Sequence, residues 1–119
     1  MAANLAVPGP ELSLQTEKKG AETTVRCSGK LTLSTCGLLR TAVNDCIPDT
    51  KTLVLDLTNV TYVDSSGLGE LVGVYVSTKN AGCKLKLINL NQRLKELLSV
   101  TRLAPLFESH EGMLGMTPD

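Results

Sequence analysis

The sequence predicts a single small α/β domain: a β-hairpin whose second strand opens a β-α-β-α-β-α succession, giving a mixed sheet with its helices mainly on one face. Three observations predict it. Apolar and polar residues alternate through 12–18, 23–31 and 83–88, the mark of strands with one wet face. Helical stripes fall between and after these strands. A β-branched and leucine-rich run, Thr52–Leu57, lies between the first two helical stripes.

Residues 1–10 hold two prolines and a glycine without periodicity and read as a flexible lead-in, so the domain is placed at 11–109 with a frayed tail at 110–119. Lys19-Gly20-Ala21-Glu22 supplies the hairpin turn. On the second strand Val25, Cys27 and Leu31 point one way, and Thr24, Arg26, Ser28 and Lys30 the other. Leu33-Ser34 reads as a hydrophobic staple followed by an N-cap. Leu38, Leu39, Ala42, Val43, Cys46 and Ile47 form the first helical stripe, ended by Pro48-Asp49. After Thr52–Leu57 the chain runs through Thr58–Val63 into a second helix with the stripe Leu68, Leu71, Val72, Tyr75 and Val76, closed by Asn80-Ala81-Gly82. The strand Cys83–Ile88 then leads to a third helix, capped by Asn89 or Asn91, with Leu90, Leu94, Leu97, Leu98 and Thr101 inward and Pro105 as its stop.

Composition narrows the function. At 119 residues and 42% hydrophobic the chain suffices for one modest core. With no Trp, one Phe and two Tyr, that core is aliphatic, which leaves little for a base-stacking platform. Twelve basic and twelve acidic residues cancel and no basic run stands out, so nucleic acid is not an expected partner. Cys27, Cys36, Cys46 and Cys83 lack zinc-site spacing and the sole histidine is His110, so no metal or other cofactor is expected and the cysteines read as small core residues of a reducing compartment. Met1 to Pro8 has neither a basic n-region nor a sufficient apolar run for a signal peptide or membrane span; a soluble cytoplasmic protein is the expectation.

The informative stretch is Val63-Asp64-Ser65-Ser66-Gly67-Leu68-Gly69, where a strand turns into a helix. On pattern alone Asp64-Ser65-Ser66 is a helix N-terminus, with a Ser or Asp cap contributing about 1 kcal/mol and an acid suited to the positive end of the helix. A serine nucleophile would need a base and an oxyanion hole, but there is no G-x-S-x-G elbow and His110 lies in the expected tail. Gly67-x-Gly69-x-x-x-Gly73 is one residue too long for a dinucleotide loop, and no G-K-[ST] occurs. Gly69 and Gly73, on one flank beside Glu70, instead permit a close approach, either by the domain's own sheet or by another protein.

The run Val54–Val60 followed by Val63–Gly69, with Gly29-Lys30-Leu31 upstream and Lys84-Leu85-Lys86-Leu87 downstream, resembles the STAS domain and, more narrowly, the bacterial anti-sigma factor antagonists. The resemblance implies a phosphoacceptor at Ser65, modified by an anti-sigma factor that is also an ATP-dependent serine kinase and reset by a PP2C-type phosphatase. The unmodified protein would bind the anti-sigma factor and release sigma factor. Asp64, Ser65, Ser66, Gly67, Leu68, Gly69, Glu70, Gly73 and Thr32 would form the partner-binding face, with Ser66 as cap and Gly67 and Gly69 as room for approach. Where family members commonly carry G-x-L-D, this chain has Gly29-Lys30-Leu31-Thr32, which removes a charge near that face. A scaffold or transporter-associated STAS subunit is the alternative of the same fold, and a small serine hydrolase that of a different class. No membrane partner is expected, no catalytic residue is implied in this chain, and no feature assigns an oligomeric state.

Overall fold

The computed structural model describes residues 4–7 and 11–100. Five strands form one sheet in the order β1-β2-β3-β4-β5: β1 Asn4–Val7, β2 Leu12–Lys19, β3 Glu22–Leu31, β4 Thr52–Val63 and β5 Lys84–Ile88. The first three strands are antiparallel and β3, β4 and β5 are parallel, so the sheet is mixed as the sequence predicts. Helices α1 (Leu38–Cys46) and α2 (Ser65–Asn80) make the two crossovers, and α3 (Gln92–Val100) follows β5. Short 3₁₀ turns at Leu33–Thr35 and Ile47–Asp49 flank α1.

One difference lies at the start. Asn4–Val7, expected within a flexible lead-in, pairs antiparallel with β2, Val7 opposite Leu14. Four residues are too few to show an alternation, and the prolines beside them masked the strand. Expectations for Thr101, Pro105 and the tail at 110–119 fall outside the described residues.

Alternation sets the layers. Leu12, Leu14, Val25, Cys27, Leu31, Leu53, Leu55, Leu57, Leu85 and Leu87 point to one face and join Leu39, Val43, Leu68, Leu71, Val74, Leu94 and Leu98 from the helices in one core. On the other face Arg26 donates to Glu17 at 3.2 Å and lies 3.8 Å from Asp56. The cysteines divide: Cys27 and Cys83 are buried and Cys46 half-buried, but Cys36 is exposed in the β3–α1 connection, contrary to the core reading. Burial, with Asp56 and Glu70 adding to it, pushes the Cys27 thiol up to about 12, so this residue stays a thiol at neutral pH.

Helix phases differ from expectation in α1 and α2, while α3 takes one of its two expected caps. In α1 Leu39 and Val43 are buried and Ala42, Cys46 and Ile47 pack against the core, but Leu38 turns outward at 42% exposure. In α2 Val74 and Thr78 are inside and Val76 is outside at 44%, because the helix is apolar nearly all round and periodicity alone does not fix its rotation. For α3, Asn91 is the cap: its Oδ1 accepts from Leu94 N–H at 2.8 Å while its Nδ2 donates to the Val60 carbonyl at 2.9 Å. Among the described residues no helix is long and apolar enough to cross a membrane.

At the end of β5, Asn89 takes a left-handed φ of 60°, and its Nδ2 donates to Asp56 Oδ1 at 3.1 Å. Burial alone would push the Asp56 carboxyl up, but hydrogen bonds from the Thr58 hydroxyl, from Asn89 and from Thr58 N–H, with Arg26 nearby, outweigh it and hold the group below its ordinary value. A carboxyl depressed in the folded state contributes stability that is complete above its unfolded pKa and is lost as pH falls through the folded one. Urea midpoints measured on a descending pH series below about 5 should therefore fall less steeply for Asp56→Asn than for wild type; parallel curves would contradict the assignment.

Candidate functional site

The site forms where α2 leaves the carboxyl end of β4 and meets the end of β3. Asp64 N–H donates to the Leu31 carbonyl at 3.1 Å, which joins the two chain segments before the helix begins. Asp64 itself has extended backbone angles and is the N-cap of α2, its Oδ1 accepting from Gly67 N–H at 2.9 Å. Ser66, expected as the cap, instead lies inside the first turn, because the carboxylate one residue before the helix already satisfies that donor. The second oxygen, Oδ2, accepts from Leu33 N–H at 3.2 Å. One carboxylate thus holds both the helix start and the β3–α1 connection.

Gly67 is the glycine of close approach. A Cβ there would stand 2.7 Å from the Leu31 carbonyl carbon and 2.8 Å from Leu31 Cβ, distances that no methyl group tolerates. Gly69, expected with Gly73 to permit approach by the sheet or by another protein, faces open space, which removes the sheet alternative for it, and a Cβ on Gly73 would meet the Arg40 guanidinium at 3.2 Å. The seat of the helix on Leu31 thus requires a glycine at 67 alone.

Glu70 differs most from its expected place on a docking face. It is 5% exposed, and its Oε2 accepts from Gly37 N–H at 2.7 Å and Arg40 N–H at 3.1 Å. These are orphan donors at the start of α1, so an acid one turn and a half into α2 acts as the cap for the neighbouring helix. This displaces the expected Ser34 cap: α1 begins at Leu38 and Ser34 lies in the 3₁₀ turn. Leu68 is likewise inward, at 7% exposure. Neither side chain is presented to a partner.

What remains at the surface is Ser65, exposed, with Ser66 and Asp64 half-buried beside it and Gly69 exposed one turn on. By helix geometry the N–H groups of the first turn other than Gly67's and Leu68's have no partner in α2. Thr32 is half-buried beneath the connection; its N–H donates to Thr35 Oγ1 at 3.0 Å, while its own hydroxyl oxygen has no hydrogen-bond partner among the described residues. Thr35, buried, donates to the Lys30 carbonyl at 2.9 Å and stiffens the turn. Leu33 and Arg40 join the site without having been expected there. The sequence signal for Leu33 is the run Leu31 to Leu39, which carries no charged side chain; Arg40, the first charge after it, has none.

The arrangement offers a surface and not a pocket. A cavity lined by Val60, Tyr62, Asn91, Leu94 and Leu97 holds about 10 Å³, at the limit for a single water, and the wider depression of about 470 Å³ lies away from Ser65, open to solvent between the hairpin turn and Pro48–Lys51. Among the described residues no three His, Cys, Asp or Glu side chains converge as metal ligands.

Two substitutions separate these glycines. Gly67→Ala should lose about 2–3 kcal/mol by forcing α2 off Leu31, whereas Gly69→Ala, in open space on a helix, should gain up to about 1 kcal/mol. Urea denaturation of both variants checks the pair; equal effects would refute the placement.

The family model of the STAS domain matches residues 13–113. The anti-sigma-B factor antagonist of Bacillus subtilis (strain 168) is 32% identical over 84 residues, covering 71% of this chain and 77% of the relative. The anti-sigma F factor antagonist of Paenibacillus polymyxa is 26% identical over 108 residues, covering 87% and 92%. Among solved structures, an anti-sigma factor antagonist from Mycobacterium paratuberculosis shares the fold, with a TM-score of 0.72 at 21% identity over 85% of this chain and 87% of that one. A match that runs from β2 through α3 and takes in the Asp64-Ser65 turn makes this chain a member of the STAS domain family.

Proposed function

We propose that this chain is an anti-sigma factor antagonist, a protein-binding module switched by phosphorylation of Ser65. The observation that carries the reading is an exposed serine in the first turn of α2 next to a carboxylate already committed to two backbone donors. The relatives' names support it, since curated proteins from Bacillus, Listeria and Staphylococcus that match this chain are called anti-sigma-B factor antagonists. In its unmodified form the module binds an anti-sigma factor with serine kinase activity and so releases sigma factor. It works in the cytoplasm and without a cofactor.

The chemistry belongs to the partners. The kinase transfers the γ-phosphoryl of ATP to Ser65 Oγ: a P–O bond forms at the serine, ADP leaves, and the hydroxyl proton passes to a base of the kinase. A PP2C-type phosphatase returns serine and inorganic phosphate by hydrolysis. Against a hydrolase on this chain stands the geometry of Asp64, whose two oxygens cap α2 and hold Leu33 and so do not activate Ser65 or Ser66.

The switch is electrostatic. A phosphate adds about −1.5 to −2 charges at pH 7, which the free N–H groups and dipole of α2 accommodate locally. The fold therefore persists. A partner seated there would have to desolvate that charge beside Asp64, which weakens the complex by several kcal/mol.

Incubation of wild type, Ser65→Ala and Ser65→Asp with the anti-sigma kinase and ATP tests the reading. Intact mass should show one phosphate on wild type and none on Ser65→Ala. Calorimetry should show Ser65→Ala retaining partner binding and Ser65→Asp weakened by roughly tenfold or more, about 1.4 kcal/mol. Phosphate on Ser65→Ala, or Ser65→Asp binding like wild type, would sink it.

A further inference from the structure

Helix α2 gives water a face of small residues that carries no charge before Lys79. From Ser65 to Thr78 its sole charged residue is Glu70, and that one is buried under α1. A helix so poor in charge favours cover on both sides, yet in this domain only one side of α2 meets the sheet. The outward line runs Ser65, Gly69, Gly73 and Val76, starting at the phosphoacceptor. The β3–α1 connection continues it. Among the described residues five large apolar side chains are exposed, and three of them are Leu33 at 73%, Leu38 at 42% and Val76 at 44%. Leu33 stands next to the switch, because its N–H is held by the carboxylate of Asp64.

One charge interrupts this surface. The Arg40 guanidinium lies over Gly73, close enough that a Cβ there would meet it at 3.2 Å, and among the described residues no carboxylate pairs with it. Interface centres are depleted in charged residues except arginine, which is enriched there.

We propose that the anti-sigma kinase docks along the outward face of α2 and the 33–38 connection, with Leu33 and Val76 as apolar anchors and Arg40 pairing with a carboxylate of the kinase. The proposal rests on the phosphorylation-switch reading and extends it from one serine to a surface about three turns long. It commits to the kinase because the surface is continuous with Ser65, which the kinase must reach to modify. The sparse charge also bears on the force of the switch: a dianion placed beside the Asp64 carboxylate, with Arg40 two turns away over Gly73, enters a dry contact without a counter-ion next to it. Arg40 sets specificity, since it rewards a partner acid and penalises a partner base at one place.

The experiment measures binding of the unmodified domain to the kinase that phosphorylates Ser65. Leu33→Asp and Val76→Asp should each weaken binding roughly tenfold or more, and so should Arg40→Glu, which a Glu→Lys or Asp→Lys change at one kinase position should restore. Lys86→Glu, on the far face of the sheet, should bind as wild type does. Thermal melts check that each variant is folded; Leu33→Asp, in the connection, remains informative if Val76→Asp is not. Wild-type-like binding by Leu33→Asp and Arg40→Glu, with Ser65→Asp still impaired, would overturn the docking surface and leave the switch intact. No binding by wild type would instead remove the switch reading. A wild-type dimer in light scattering that Val76→Asp dissolves would assign the face to a second copy of this chain and overturn the proposal.

Discussion

The approach of α2 to the end of β3, close enough for Asp64 N–H to reach the Leu31 carbonyl at 3.1 Å and too close for any Cβ at Gly67, is the constraint on which the site depends. With the helix seated there, two acids six residues apart on α2 come within reach of one connecting segment. Asp64 takes the N–H of Leu33, and Glu70 takes those of Gly37 and Arg40. Neither contact would form if α2 rode higher. The connection is therefore fastened at both ends to the helix whose first residue is the proposed acceptor, and Thr35 stiffens its middle. A rigid presentation lowers the ordering cost that a partner would otherwise meet on binding.

The sheet was legible from sequence because a strand with one wet face writes its orientation in a period of two. Val25, Cys27, Leu31, Leu85 and Leu87 all lie inside as the alternation predicts. The site was legible only in part. The stretch 63–69 marks the right turn of the chain, but rotation of α2 about its axis is what separates Gly67 from Gly69 and Val74 from Val76, and an apolar helix leaves that rotation unwritten. Glu70 is the sharpest case. An acid beside two glycines on a helix reads as surface charge, and nothing local says that the start of α1 will be brought to it across a crossover. Long-range capping is a tertiary fact. Likewise the choice of Asp64 over Ser66 as N-cap follows from where β4 ends, which is fixed by its pairing with β3, Leu31 opposite Val63.

Asp64 holds a structural duty and an electrostatic one at once. Its two hydrogen bonds to backbone donors are charge-assisted, each stronger than a neutral pair, and they locate the negative charge beside Ser65 whether or not a partner is present. In the proposed switch the phosphoryl group therefore adds to a charge that is already positioned. The open charged face of the sheet, with Arg26 between Glu17 and Asp56, has no such coupling, and its exposed pairs contribute little to stability.

Because Asp64 and Glu70 grip main-chain N–H groups, the tether is indifferent to which side chains the connection carries. At Leu33 any residue that keeps its N–H would be held as firmly, with proline as the exception. Shape and chemistry at the protruding position can drift through successive generations while the anchorage, the core and the proposed acceptor serine stay as they are. Paralogues within one cell could thereby be insulated from one another's pathways by a handful of changes in this segment, a route to divergence that asks nothing of the folding problem already solved beneath it.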